Sequence, residues 1–288
     1  MFKITFKVPL CKTDEITEKL YLIDIYNIYY ESPVTITTTD YGYGYYENED
    51  ETVDFNIVVE TDDINFVNSQ KNLISKTLCI EDLNIEEIKN IELNETMEPI
   101  DLNNGWVICS PEYDANNKKT IKFIPQGAFG TGLHETTQDC LRYILEKDFE
   151  NKTVLDIGTG SGILSIAAAI KNATSVASLD IRDVNEEINL NASLNDIDTI
   201  DIYVGNALED DLGINTQFDF VFINIGGEET QMFMEFINSH IKSNGTLLVS
   251  GLVEWTFDLV IDKIKEYGFE LTSKSQTNEW CTALLRKI

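Results

Sequence analysis

Three glycines at alternate positions, Gly158, Gly160 and Gly162, stand in the run VLDIGTGSGIL at 154–164. A strand-like apolar stretch precedes them and a helix-like one follows at once. Glycine lets the backbone turn tightly and lets a ligand approach the main chain. A helix that begins directly after the turn offers free N–H groups and a partial positive charge. The chemistry is that of holding a ligand against the main chain at a strand end. Two acids flank it: Asp156, two residues before the first glycine, and Asp180, which closes the next strand in SVASLDI. A dinucleotide fingerprint reads G-x-G-x-x-G and sets a pyrophosphate on the helix end. Here the spacing is G-x-G-x-G, and a carboxylate at Asp156 is a poor neighbour for a pyrophosphate. It suits a ligand with an ammonium group, such as the methionyl part of S-adenosylmethionine. Asp180 is placed to accept both ribose hydroxyls. That feature serves NAD and S-adenosylmethionine alike, so it supports a nucleoside without choosing between them.

These residues need a scaffold that brings strand ends together, and the hydropathy pattern predicts one. From Glu135 onward helices and strands alternate. Helices are predicted at 135–147, 163–171, 184–195, 228–242 and 256–267, and strands at 154–157, 175–180, 200–204, 218–223, 246–250, 270–275 and 281–286. The runs VFINI and TLLVS are almost wholly apolar, as strands covered on both faces must be. Repeated β-α alternation predicts an α/β fold with a doubly wound, Rossmann-like parallel sheet. Before it, GWVICSP at 105–111 and residues 120–124 read as short strands. The N-terminal part reads differently: strand 2–8, helix 13–24, strand 27–31, a Gly/Tyr/Glu-rich loop YGYGYYENEDE at 41–51, strand 53–60, helix 63–78 and strand 85–93. The order β-α-β-β-α-β is that of a ferredoxin-like α+β domain. The predicted organisation is a domain at 1–98, a linker at 99–118 and a second domain at 119–288.

Composition restricts the partners. The chain has 288 residues, 50 Asp and Glu against 21 Lys and Arg, and a net charge of −29. With 43% hydrophobic residues it has enough apolar matter for real cores, so the acidity is not that of a disordered tail. No cluster of Lys and Arg is present to neutralise phosphates, which argues against direct binding of nucleic acid. A basic protein partner fits the sign. Residues 1–98 carry 7 Lys and no Arg against 21 acids, a net −14 in a third of the chain. A binding role for the acidity is therefore expected there. The five cysteines show no CxxC spacing and there are only two histidines, so neither a zinc pattern nor a histidine-rich metal site is expected. The first residues alternate apolar and polar like a strand, and nowhere do 18 apolar residues run together; a cytoplasmic protein with no membrane partner is expected.

A further run, PQGAFGTGLHETT at 125–137, makes a resemblance specific. Together, AFGTGLHETT, VLDIGTGSGIL, SLDI, FDFVFINI and the ending NEWCTALLRKI resemble the ribosomal protein L11 methyltransferase family (PrmA), which transfers methyl groups from S-adenosylmethionine. The resemblance covers essentially all of residues 102–288, and the ferredoxin-like order before it matches that family's substrate-recognition domain. It implies cofactor binding by Thr137, Gly158, Asp180 and Asn224, with Gly160 in the same loop. It implies a catalytic role for Asn224, whose side-chain oxygen would align the attacking amine at the carboxyl end of the fourth strand, where ligands collect in open α/β sheets. It further implies methylation of lysine side chains or an N-terminus on a basic ribosomal protein. Asn206 in GNAL is a candidate adenine-edge contact. His134 falls in the loop that closes over the cofactor, with a structural role expected; His240, on a polar helix end, is expected at the surface. Three departures stand out. Gly226-Gly227 replace the family's Leu-Ala after Asn-Ile, Ile181-Arg182-Asp183 replace an acid and proline after Asp180, and the long interdomain linker is shortened between Glu92 and Gly105.

Overall fold

Alternation dictates the first strand. In β1, Phe2–Pro9, the side chains of Phe2, Ile4, Phe6 and Val8 are buried while Lys7 and Pro9 face water. The computed structural model describes residues 1–23, 25–31, 34–39, 42–47, 51–59, 61, 63–87, 97–126 and 130–288. Contacts separate a first unit, within residues 1–96, from a second that contains residues 97–288.

The first unit continues with α1 (Thr13–Tyr21), β2 (Ile28–Tyr29), β3 (Val34–Thr39), β4 (Gly42–Glu47), β5 (Thr52–Val59), α2 (Ile64–Leu78) and β6 (Asn84–Glu87). Its sheet runs β2-β5-β1-β6, and every pairing is antiparallel. Leu20 of α1 and Val67 and Ile74 of α2 complete the core formed by Ile4, Phe6, Phe55 and Ile57. Asp63 caps α2 by accepting from Asn65 N–H at 2.9 Å, and Cys79, at φ 56°, ends it. The run 41–51, expected as a loop, contains a strand instead: β4 pairs with β3 as a separate hairpin. Its Gly-Tyr alternation has the period of a strand, and tyrosine favours one. Tyr41 and residues 48–50 of that run lie outside the described residues. So do residues 88–93 of the expected last strand.

In the second unit, β7 (Ile100–Asp101), β8 (Trp106–Cys109) and β9 (Lys119–Lys122) form a small sheet. Then follow α3 (Glu135–Glu146), β10 (Thr153–Ile157), α4 (Ile163–Ile170), β11 (Ser175–Asp180), α5 (Asn185–Leu194), β12 (Ile200–Val204), β13 (Phe218–Asn224), α6 (Gly227–Met232), α7 (Met234–His240), β14 (Ile241–Val253), α8 (Phe257–Glu266), β15 (Phe269–Thr277) and β16 (Trp280–Lys287). The main sheet has the order β12-β11-β10-β13-β14-β16-β15. Its first five strands are parallel, and β16 runs antiparallel to both of its neighbours, β14 and β15. Alternate residues feed opposite faces. Val154, Phe222 and Leu248 join α3 and α4 in one core, whereas Leu155, Val221, Ile223 and Leu247 join α7 and α8 in the other.

Two expectations need correction. Residues 99–118, expected as a linker, contain β7 and β8, and Leu102, Trp106 and Ile108 are buried in the same core as α3 and α4. All four residues of β8 are buried. The single helix expected at 228–242 is two short ones, and Ile241 and Lys242 belong to β14, where Ile241 pairs with Phe218 beside a register shift.

Candidate functional site

The site is built where β10, β11 and β13 end. Gly158, Gly160 and Gly162 have φ of 66°, 55° and 77°, left-handed values that cost other residues strain. A Cβ at Gly158 would stand 2.6 Å from Ile225 Cγ2, so the loop and the residue after Asn224 touch only because a side chain is missing. The strand below fixes the loop, since Gly158 and Thr159 N–H both donate to the Leu179 carbonyl, at 2.9 and 3.0 Å.

Asp180 continues that bracing. Its Oδ2 accepts Gly160 N–H at 2.9 Å and its Oδ1 accepts Arg182 N–H at 3.0 Å. Each carboxylate oxygen has a second lone pair. The carboxylate lines a cleft of about 440 Å³, together with Gly158, Gly160, Asn206, Asn224 and Phe233. Four of the predicted cofactor residues are thus brought to one cavity, and Asn206 with them. The Asn206 oxygen is engaged by Leu208 N–H at 3.1 Å, which leaves its amide NH2 as the group to offer.

Asn224, the last residue of β13, also faces the cleft, and its Oδ1 is buried without a hydrogen-bond partner among the described residues. The same holds for the hydroxyl oxygen of Thr137 in the first turn of α3. Buried polar atoms are seldom left so, and each such case asks for a ligand or another explanation. Thr137 is not among the residues lining the cleft. Residues 127–129 of the run that leads to it lie outside the described residues. Gly130 is placed: its carbonyl accepts Ser161 Oγ–H at 2.9 Å, tying this run to the glycine loop. His134 takes the structural role expected of it. It caps α3, with Nδ1 3.3 Å from Thr136 N and 2.9 Å from Thr136 Oγ1, and its ring meets Trp280 edge-on at 4.8 Å.

Asp156 corrects the sequence reading. It is buried and is not among the residues lining the cleft. Its Oδ2 accepts the hydroxyls of Thr159 and Ser165, both at 2.7 Å, and Ser178 donates to Ser165 at 2.7 Å. Burial pushes its carboxyl up to about 6, against the opposing pull of those hydroxyls. Asp156 therefore braces the glycine loop from beneath. Ser165 and Ser178 were missed, although each is a hydroxyl in an otherwise apolar run, ILSIAAAI and SVASLD. His240 also departs from expectation: instead of projecting at the surface it is half-buried, with Nδ1 2.8 Å from the Phe236 carbonyl and Nε2 3.0 Å from that of Ile214. Among the described residues no cluster of three His, Cys, Asp or Glu is fit for a metal, and no helix is long and apolar enough to cross a membrane.

Comparison with known proteins gives concordant results. Residues 3–287 match the family described as Ribosomal protein L11 methyltransferase (PrmA). A protein named Ribosomal protein L11 methyltransferase in Fusobacterium nucleatum subsp. nucleatum is 39% identical over 176 residues, covering 59% of this chain and 55% of the relative. One of the same name in Caldicellulosiruptor saccharolyticus is 34% identical over 199 residues, covering 68% of this chain and 65% of the relative. The chain thus spans between about half and two thirds of the length of the curated relatives it matches. Among solved structures, that of a ribosomal protein L11 methylase from Lactobacillus delbrueckii subsp. bulgaricus is similar at a TM-score of 0.58 and 29% identity, over 66% of this chain and 99% of that one.

Proposed function

The chain belongs to the ribosomal protein L11 methyltransferase family, and on that premise we propose that it transfers methyl groups from S-adenosylmethionine to amino groups of a protein, with ribosomal protein L11 as substrate. The observation that carries this reading is Asn224. It holds a buried acceptor without a described partner, on the wall of a cleft that also presents a glycine loop and the carboxylate of Asp180. These residues fit the cofactor: Asp180 has lone pairs for ribose hydroxyls, Gly158 leaves the main chain approachable, and Asn206 has a free amide NH2 for the adenine edge. The Thr137 hydroxyl is a further polar group to be satisfied on binding.

When bound, S-adenosylmethionine supplies a methyl group made electrophilic by its sulfonium. The protein's task is positioning, because the attacking amine must be neutral and aligned. A lysine begins near pKa ~10.4 and must lose a proton. Withdrawal of the lysine from water favours the neutral form. Asn224 Oδ1 accepts a hydrogen bond from that amine and aims its lone pair at the methyl group. No general base is assigned.

The N-terminal unit, read as a ferredoxin-like domain, is assigned to substrate recognition, and the net −14 of residues 1–98 suits a basic partner. Neither nucleic acid nor membrane is a direct partner in this reading, and the site of action is the cytoplasm. The test is incubation of the full chain with purified L11 and methyl-labelled S-adenosylmethionine. Label on L11 amino groups is expected, and Asn224→Ala should lower kcat more than it weakens cofactor binding. Cofactor binding with label on another protein would change the substrate. No binding, or binding with no label on any protein, would overturn the reading.

A further inference from the structure

Helix α5 grips the segment before the HETT run through three side chains one turn apart. Asn195, the residue capping α5, accepts Lys122 N–H at 2.9 Å through Oδ1 and donates from Nδ2 to the Lys122 carbonyl at 2.7 Å. Asn191 does the same to Ile124, at 2.8 and 3.1 Å. Glu187 accepts Gln126 N–H at 3.1 Å. The two spacings match. Four residues of helix rise ~6 Å, and two residues of extended chain rise ~6.6 Å. Residues 187, 191 and 195 therefore meet residues 126, 124 and 122 rung for rung. Each carboxamide pairs with the N–H and C=O of one residue, as a neighbouring strand would. The ladder starts at Lys122, the last residue on the free edge of β9, and carries the pairing beyond its end. Asn191 is fully buried and Glu187 nearly so, which gives these bonds their weight.

The same helix also touches the glycine loop, since Gly162 stands against Ile188 with no room for a Cβ. Downstream of the ladder, Ser161 of that loop holds the Gly130 carbonyl. One helix thus meets both the loop that lines the cleft and residues 122–126, upstream of Thr137. We propose that Glu187 and Asn191 are positioning residues, which anchor residues 122–126 and through that anchor bring the HETT run, with Thr137, into register with the cofactor cleft. This rests on the reading of the cleft as the S-adenosylmethionine site. A merely structural ladder would hold the fold together and leave the affinity of the folded protein unchanged.

The test uses the full chain and three variants, Glu187→Ala, Glu187→Gln and Asn191→Leu. Amide hydrogen exchange without cofactor reads the anchoring directly, and calorimetry with S-adenosylmethionine reads its consequence. Glu187→Ala and Asn191→Leu should raise exchange at residues 122–126 and 130–134 by about tenfold, with that of 138–146 unchanged. The cofactor Kd should rise by about tenfold in the same variants. Glu187→Gln keeps an acceptor for Gln126 N–H and should lie closer to wild type than Glu187→Ala in both readouts. Unchanged exchange in the loss variants would overturn the proposal, as would faster exchange with unchanged affinity or a Glu187→Gln as impaired as Glu187→Ala. If Asn191→Leu does not fold, the Glu187 pair decides. A wild-type chain that bound no S-adenosylmethionine would overturn the function, and the exchange measurement would still decide the anchoring.

Discussion

Asp180 and Asp156 are both buried acids of the glycine-loop region, yet their surroundings give them opposite tasks. Asp180 lines the cleft with lone pairs to spare, so Asp180→Ala should weaken S-adenosylmethionine binding by about 1.5–3 kcal/mol, the worth of hydrogen bonds to a charged acceptor. Calorimetry checks this, and wild-type affinity in the variant would remove Asp180 from the site. Asp156 lies below the loop, and its effect is on stability. Burial raises its carboxyl from 3.8 to about 6. The folded protein then holds a proton that the unfolded chain releases, so this contribution is fully present below about pH 4 and lost as pH rises through 6. Asp156→Asn abolishes the titration. Between pH 4.5 and 7.5 the wild type should lose stability relative to the variant, by roughly 2 kcal/mol. Thermal midpoints of both proteins at the two values measure it; parallel curves would refute it. In the sequence these two acids look alike, each near the end of an apolar strand. Only packing distinguishes the one that lines the cleft from the one sealed by Thr159 and Ser165.

Among the elements, α5 does more than its sequence advertises. Asn191 and Asn195 look like further members of an asparagine-rich chain, and nothing in NEEINLNASLN marks them as partners of residues 122 and 124. The reverse holds for the glycine loop, where spacing alone announced the turn. Gly162 shows how the two elements meet. At φ 77°, with Ile188 Cγ1 2.7 Å from where a Cβ would stand, it admits no side chain without movement of α5. Gly162→Ala should cost about 1–2 kcal/mol for the left-handed backbone alone, seen as a lower thermal midpoint. A variant as stable as wild type would refute the strain assigned to the left-handed backbone. The helix expected at 228–242 failed for a related reason. Its apolar periodicity runs on through Phe236, Ile237 and Ile241, but Ile241 is taken by a strand pairing with Phe218 that no local pattern encodes.

For the whole molecule, the question is where the second unit begins. Composition placed a linker at 99–118, yet β7 and β8 lie in that stretch and bury Leu102, Trp106 and Ile108. A fragment of residues 97–288 should therefore fold and keep its cofactor affinity, whereas one of residues 119–288 should not fold, since it leaves Ile121 and Phe123 without their neighbours. Circular dichroism and calorimetry on the two fragments decide this, and a folded 119–288 would refute it. The longer fragment should bind S-adenosylmethionine but methylate L11 poorly, and added salt should narrow the gap between it and the full chain as screening grows. Equal methylation by fragment and full chain would remove the N-terminal unit from substrate recognition.

The sequence by itself determined the α/β alternation, the family and the residues Gly158, Asp180 and Asn224 that share the cleft. The alternation, the loop and Asp180 rest on local matter, namely a period of two or of 3.6, a turn that needs glycine and an acid at a strand end, while the family and Asn224 rest on the resemblance. The tertiary structure decided the rest. It reversed β16 between β14 and β15, drew β7 and β8 into the core, buried Asp156 under the loop and set the carboxamides of α5 at the end of β9. Those outcomes depend on which distant segments meet, and a pattern that repeats every two or four residues carries no record of a partner 67 or 73 positions away.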